Sequence, residues 1–359
     1  MQKRNPHSSR KTIFLTGASG LLGRALLEKL SDYNLICLTH RTLLSTPNII
    51  SLKGDVTQRW FGLNQDEFNH LAQCIDYIVH IAAITDFLSR KETTFRTNID
   101  GTRNILELAE TAQASLFHIS TAFVHPSNQV IDGDASYAYV HSKREGERAI
   151  RESGLPHTIL RPSIIIGDSQ TGAIAKFQGF HLVTGLITIG GLPVLPISPH
   201  YYVDFVPQDV VVDTIAACID RNSIGSEWWL TAGEQALTVR AVVDSCVEHS
   251  HRLTGHSAIP PKVVDSDLFE RLILPVFLPA LPRHQQKTIL RALHITKVCT
   301  AQPLPSSWPD LERQFNLSAL PNTELTLVRN LEYWAATQGY GSKQVALEPT
   351  KVSSRGGID

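Results

Sequence analysis

The sequence predicts an α/β protein, a Rossmann-type doubly wound parallel sheet with a smaller, mainly helical C-terminal substrate lobe. Three observations predict it. Apolar, β-rich runs alternate with helical patterns through the first half of the chain, as in a parallel sheet with crossover helices. A glycine turn, Thr16-Gly-Ala-Ser-Gly-Leu-Leu-Gly23, follows the first run and opens a helical pattern. Beyond Arg161 the pattern gives way to proline, glycine and large aliphatics with interrupted helical periodicity.

Strands are expected at Thr12–Thr16, Leu35–Thr39, Ile49–Lys53, Tyr77–Ile81, Leu116–Ser120 and His157–Arg161. Several are continuous apolar runs, as when both faces of a sheet are covered by helices. Helices are expected to begin near Leu21, Asp66, Asn98, Ala138 and Asp209. Val203–Val206 and Trp228–Thr231 read as strands that return to the first domain. A chain of 359 residues exceeds what one compact core usually holds. The expected division is a disordered N-terminus at 1–10 and a Rossmann-type domain at 11–171, to which 203–235 returns. The substrate lobe covers 172–202 and 236–340, and a disordered tail covers 341–359.

Composition narrows the function. The chain is 42% hydrophobic and 19% charged with a formal net charge of −1, which gives no electrostatic reason to expect a nucleic acid or an anionic membrane. The five cysteines are scattered without metal-ligand spacing, so no metal is expected and reduced thiols in a cytoplasmic protein are. The basic N-terminal residues lack the apolar region of a secretory signal. The longest apolar stretch, Gly179 to Ile197, is broken by glycines and by Pro193 and Pro196. It makes a poor membrane span, and no integral membrane segment is expected.

The glycine turn carries the first chemistry. Gly17, Gly20 and Gly23 lack Cβ atoms, so the chain can turn tightly and its backbone can approach a pyrophosphate. The helix that follows adds N–H groups and a partial positive charge. Gly17, Ser19, Gly20, Leu21 and Leu22 are the candidate cradle. The second strand then ends in Leu38-Thr39-His40-Arg41, without the acid that holds a ribose 2′-hydroxyl in NAD sites. Arg41 can instead pair with a 2′-phosphate through its planar fork, with Arg24 assisting. The alternative is two solvated surface arginines. NADP is the expected cofactor.

Tyr139-Val-His-Ser-Lys143 lies in a segment, Tyr137 to Glu152, with helical character. A spacing of four puts phenol and ammonium on one face, where Lys143 can lower the tyrosine pKa by its charge and Tyr139 can exchange a proton with a substrate oxygen. The same lysine can hold the nicotinamide ribose. Tyr137, six residues from Lys143, is wrongly spaced for this. Upstream, Leu116–Phe123 is a strand ending in hydroxyls, at the edge where doubly wound sheets bind ligands. Ser120 or Thr121 could there bond a substrate carbonyl.

Glycine turn, hydroxyl strand end and YxxxK, in that order, resemble the extended short-chain dehydrogenase/reductase superfamily over about residues 11 to 235. The resemblance implies adenine contacts at Asp55 and Val56 in Gly54-Asp55-Val56 and a cofactor-lining loop at Ala82 and Ala83 in His80-Ile-Ala-Ala83. It implies a helix start at Asn98 with Gly101-Thr102, and a nicotinamide-side loop in Arg161-Pro162-Ser163, with Pro162 and Ile164 against the cofactor. Within the superfamily the chain is most similar to the thioester reductase and fatty acyl reductase (male sterility-type) group. The similarity runs through Gly54 to Leu63, His118 to Val124, Ile166 to Gly172 and Val203 to Asp209. It implies Thr121, rather than Ser120, with Tyr139 and Lys143 as the catalytic triad. It also implies reduction by NADPH of a carrier- or coenzyme-A-bound acyl thioester to an aldehyde, sometimes on to an alcohol.

No adenylation or carrier domain precedes the reductase pattern in this sequence, so the acyl group is expected from coenzyme A or a separate carrier. Two alternatives stay open. The scaffold could act on a ketone, a hydroxyketone or a nucleotide sugar, for which Arg252, Arg271, Arg283 and Arg291 would offer positive charge. It could also be a non-catalytic NADP-binding sensor, although such proteins typically lose the tyrosine or lysine. The expected partner is a small-molecule carbonyl or acyl-thioester substrate, with a homodimer left open. The apolar run Leu268 to Leu281 reads as a lid over a greasy substrate, as a surface for a membrane or partner subunit, or as a buried helix pair kinked by Pro275 and Pro279. His80, His118 and His125 read as satisfied structural histidines near the crevice.

Overall fold

The computed structural model describes residues 10–340, except 42–43, 45–48, 129, 131, 133–135, 265, 281–282, 284–285, 287–289 and 291–295. The tails expected to be disordered lie outside the described residues, apart from Arg10.

The alternating pattern builds β1 (Thr12–Thr16), α1 (Leu21–Lys29), β2 (Asn34–Thr39), β3 (Ile49–Lys53), α2 (Gln65–Cys74) and β4 (Tyr77–His80). A helical run follows as α3 (Lys91–Phe95), a wide π-type turn at Arg96–Asp100, and α4 (Gly101–Ala112). Next come β5 (Ser115–Ile119), α5 (Tyr137–Ser153), β6 (His157–Pro162) and β7 (Ile164–Ile166). The helix expected to start near Asn98 therefore begins at Lys91, and Asn98 sits inside its wide turn. α6 (Gly179–Thr188), β8 (Val194–Leu195), β9 (Tyr202–Val203), β10 (Phe205–Pro207), α7 (Gln208–Asp220) and β11 (Glu227–Leu230) complete the part that frames the site.

Seven parallel strands form the central sheet in the order β11-β6-β5-β4-β1-β2-β3. The order reverses direction at β1, between β4 and β2, which makes the crevice beyond the ends of β1 and β4 the ligand edge of a doubly wound fold. Ile13, Leu15, Val79, Phe117 and Leu160 pack one face against α1 and α7. Phe14, Ile78, Leu116 and Ile159 pack the other with side chains from α2, α4 and α5. Alternate residues of each strand thus bury on opposite faces, as the period of two requires. Trp228–Thr231 becomes the edge strand β11. Val203–Val206 divides into β9 and β10, and β10 pairs with β7 in a separate two-stranded ribbon.

A second core joins α6, a helix at Val239–Thr254 and a helix at Thr323–Thr337. Ala122, Phe123 and Val140 enter it from the first lobe, so the two lobes share their packing where β5 meets α5. Trp308, Leu311 and Phe315, from a helix at Trp308–Phe315, instead pack into the core beside α7. That helix lies within 236–340 but leans on the sheet domain, with Phe315 edge-on to Trp228 at 5.8 Å.

The apolar run from Leu268 is helical through Ala280, and Leu281 lies outside the described residues. It is not a buried helix pair. Leu268, Leu272 and Val276 are 50%, 64% and 77% exposed, and Phe269 is buried. No helix among the described residues is long and apolar enough to cross a membrane.

Candidate active site

The glycine turn closes where β1 meets α1. Gly17 adopts φ +78°, and a Cβ there would lie 2.8 Å from the Ala82 amide nitrogen. On Gly23 a Cβ would lie 2.2 Å from the Gly17 carbonyl oxygen. The turn is thus pressed against the loop after β4, and only glycine fits. Ser19 and Gly20 are exposed, and α1 starts from Gly20, which has no side chain to cap the first N–H groups at Leu21 and Leu22. Such an end favours a bound anion, so these residues fit a dinucleotide pyrophosphate.

Around this cradle the other sequence candidates line the same edge of the sheet. Arg41 is exposed just beyond β2, and the Arg24 guanidinium donates to the Ser19 carbonyl at 3.1 Å. Burial works to raise the Asp55 carboxyl. The Thr57 amide and hydroxyl, with His40 and Arg96 nearby, outweigh it and hold Asp55 below the usual carboxylate range. Val56 is buried against Gly101, and its carbonyl accepts from the Asn104 amide at 2.8 Å. Ala82 and Ala83 are half-buried in the loop after β4, Pro162 ends β6, and Ile164 opens β7 with its N–H on the Asp204 carbonyl.

Tyr139, Lys143 and Thr121 come together at the end of β5. The Thr121 hydroxyl is a hydrogen-bond partner of the Tyr139 phenol. It also accepts from the Phe123 amide at 3.4 Å. Lys143 is 4% exposed and donates from Nζ to the Ile119 carbonyl at 2.7 Å. Burial raises the Tyr139 pKa, and the Thr121 bond only partly offsets it. The direction is opposite to the lowering expected from the Lys143 charge, because burying a phenolate costs more than its neighbours return. Burial likewise pushes the Lys143 ammonium down to about 8, against the Glu147 charge. Tyr137 takes no part. Its ring stacks on His141 at 5.1 Å, with Lys91 over it.

Ser120 is held elsewhere. Its hydroxyl donates to Glu147 at 2.6 Å. Glu147, one turn beyond Lys143, also accepts both a bidentate pair from Arg161 at 2.8 Å and a bond from Arg151 at 2.8 Å. Arg151 and Arg161 both reach Glu227 as well. Arg161, at the end of β6 before the nicotinamide-side loop, turns into this buried network and lies over the Trp229 ring at 4.6 Å. The network was missed in the sequence. The one available signal was Glu147 continuing the four-residue spacing of Tyr139 and Lys143.

The histidines divide. His80 is fully bonded, to Thr16 and Thr102. His125 bonds Ser127 at 2.7 Å. His118 is buried with neither ring nitrogen bonded among the described residues, and its ring lies 5.3 Å from that of His80. It is structural without being satisfied, and burial keeps it neutral. Beyond Thr121, Arg144 donates to the carbonyls of Val124, His125 and Asn128. It thereby shapes an open depression of about 500 Å³ lined also by Pro126 and Val130.

The family model described as male sterility protein matches residues 33–215, just over half of the chain. Fusarin C synthetase of Gibberella moniliformis is 30% identical over 234 residues, covering 58% of this chain and 6% of the synthetase. The chain therefore spans only a small fraction of that relative. The terminal R domain of the myxalamid PKS-NRPS pathway superposes with a TM-score of 0.72 at 25% identity, covering 93% of this chain and 92% of the domain. The reductase (R) domain of a nonribosomal peptide synthetase from Mycobacterium tuberculosis superposes with a TM-score of 0.66 at 20% identity, covering 93% and 94%.

Proposed function

The chain belongs to the male sterility protein family of NAD(P)-binding extended short-chain dehydrogenase/reductases, and from that premise we propose that it is an NADPH-dependent reductase of an acyl thioester. The observation that carries this reading is the convergence of Thr121, Tyr139 and Lys143 at the ligand edge of the sheet. Likeness to terminal reductase domains of synthetases supports a thioester over other carbonyls. The acyl group arrives on coenzyme A or on a carrier.

Gly17, Ser19, Gly20, Leu21 and Leu22 would hold the pyrophosphate. Asp55, Val56, Ala82 and Ala83 would line the adenosine side, with Pro162 and Ile164 beside the nicotinamide. Arg41 would pair with the 2′-phosphate. When bound, NADPH would supply a hydride to the thioester carbonyl carbon. Tyr139 acts as the proton donor, and its raised pKa keeps the phenol protonated for that task. Thr121 shares the carbonyl oxygen and orients it toward the phenol. Lys143, anchored on the Ile119 carbonyl, would hold the nicotinamide ribose with its positive charge. Breaking the C–S bond returns the proton from oxygen to sulfur, so the products are an aldehyde and a free thiol. A cytoplasmic location accords with five free cysteines.

The test is NADPH oxidation across acyl-CoAs, carrier-bound acyl groups, aldehydes and ketones, with thiol titration and product mass spectrometry. The proposal expects thiol release stoichiometric with the first hydride. Turnover of simple ketones without thiol release from any thioester would overturn it.

A further inference from the structure

Thr16, His80, Thr102 and Asn98 are all buried, at 0%, 1%, 1% and 3% exposure, and their hydrogen bonds leave no choice of direction. The Thr16 hydroxyl oxygen accepts from the Ile81 and Ala82 amides, both at 3.2 Å. With both lone pairs engaged, its one proton points to His80 Nδ1 at 2.7 Å. On the other side of the ring, the Thr102 hydroxyl donates to the Asn98 carbonyl at 2.7 Å. Toward His80 Nε2, at 3.3 Å, Thr102 can therefore only accept. Two independent constraints select the same neutral tautomer, with the proton on Nε2.

The chain of bonds continues through Asn98. Its side-chain oxygen accepts from the Ile84 amide at 2.8 Å, and its Nδ2 donates to the Ile84 carbonyl at 3.1 Å and to the Ser142 hydroxyl at 2.9 Å. Ser142 donates in turn to the Tyr139 carbonyl at 2.8 Å. One end of the path is the backbone at Ala82 that the glycine turn presses upon, and the other is the helix turn that carries the phenol.

We propose that His80 is a positioning residue that couples the cofactor cradle to the turn of α5 bearing Tyr139, through its Nε2–H tautomer alone. An imidazolium could not serve, because Nδ1–H would face a hydroxyl whose lone pairs are filled. The groups around the ring, Thr16, Thr102, His118 and Lys143, offer no anion to stabilise one. Burial accordingly pushes the His80 pKa down to about 3, with the Lys143 charge adding to the effect. The inference rests on the assignment of Tyr139 and of the glycine turn made above.

The test has two arms, and the first needs no substrate. In the full chain labelled with 15N-histidine, with His80 assigned by the signals lost in His80→Asn, Nε2 is expected to be protonated and Nδ1 bare, unchanged between about pH 8 and 5. A Nδ1–H tautomer, or titration in that range, overturns the proposal. The second arm reads NADPH affinity and kcat, on whichever carbonyl substrate turns over. Thr102→Val cuts the path while keeping side-chain size, and is expected to lower kcat about 10- to 100-fold with NADPH dissociation within about threefold. Thr102→Ser restores the hydroxyl and is expected to restore the rate. A folded Thr102→Val protein with full kcat, or a Thr102→Ser protein as slow as it, also overturns the proposal. Failure of the thioester assay leaves both arms readable, so the two ideas fail separately.

Discussion

The Ser120 hydroxyl donates to the Glu147 carboxylate at 2.6 Å, and this contact separates two adjacent hydroxyls at the end of β5 into different tasks. Ser120 is spent inside the ionic network, whereas Thr121 bonds the Tyr139 phenol. Thr121→Ala is therefore expected to lower kcat about 100-fold, the cost of losing a donor at a developing oxyanion, with little change in melting temperature. Ser120→Ala is expected to do the reverse. It leaves a buried carboxylate one bond short, a loss of about 1–3 kcal/mol in stability. Equal rate losses in both variants would contradict the division.

Tyr139→Phe removes only the phenol oxygen. If Tyr139 is the proton donor as proposed, its loss should cost about 10²- to 10⁴-fold in kcat, and NADPH affinity should hold, since the cradle at Gly17 to Leu22 is untouched. Calorimetry of NADPH binding beside steady-state rates checks both halves. A variant with wild-type kcat would refute the assignment.

Lys143 provides a pH test. Burial lowers its pKa to about 8, and the Glu147 charge works in the opposite direction. If the charged ammonium is the working form, kcat/KM of the free enzyme falls as pH rises through about 8. Glu147→Gln removes the charge that supports the ammonium, so the alkaline limb is expected to move to lower pH. The sign for stability is opposite. The unfolded lysine keeps its proton up to about 10.4 while the folded one releases it near 8, so the unfolded state binds more protons between them. Folding stability contributed by this group therefore rises with pH across that window. An alkaline limb unmoved in Glu147→Gln would remove Lys143 from the rate profile.

Arg41, with Arg24 assisting and no acid at the end of β2, carries the choice between the two nicotinamide dinucleotides. It stands exposed beyond β2, where the strand carries no acid. Arg41→Glu is expected to weaken NADPH about tenfold or more, the order of about 1.4 kcal/mol for one surface charge-assisted pair, while NADH holds or improves. Parallel titrations with both cofactors decide it. Equal weakening of NADPH and NADH would mean that Arg41 does not read the 2′-phosphate.

What could be read in the sequence followed from local period and order. Apolar runs of strand length placed β1 to β6, and the glycine turn between β1 and α1 followed from residues adjacent in the chain. The helix start read at Asn98 from the resemblance with Gly101-Thr102 falls inside a helical run that already begins at Lys91. The Asn98 side chain reaches back to Ile84 and across to Ser142 from the middle of that run. Beyond the spacing of Glu147 from Lys143 the ionic network had no local signature, since Glu147, Arg161 and Glu227 meet only through the pairing of β6 with β11 and the packing of α5 above them. For Leu268 to Ala280 only the buried helix pair, one of three readings the sequence left open, is removed. Apolar composition suggests burial, yet Leu272 and Val276 face solvent in the chain described here, a placement that composition does not encode.

The last prediction concerns that network in acid. Arg151 first, then Arg161, hold the Glu227 carboxyl down at about 2, against a smaller opposing effect of burial. A carboxyl whose folded pKa lies below its unfolded value stabilises the fold above the unfolded pKa, about 4.3. That stability is lost as pH falls through the folded value, so the window here runs from about pH 4 to 2. In this range the wild type should lose stability faster than Glu227→Gln, whose side chain cannot take up the proton. At neutral pH the variant should be the weaker protein, because the Arg161 guanidinium, 2% exposed, keeps only Glu147 as its anionic partner. Urea titrations at pH 7 and pH 3 test the crossover. Parallel pH dependences for the two proteins would mean that Glu227 is already free of both arginines in solution.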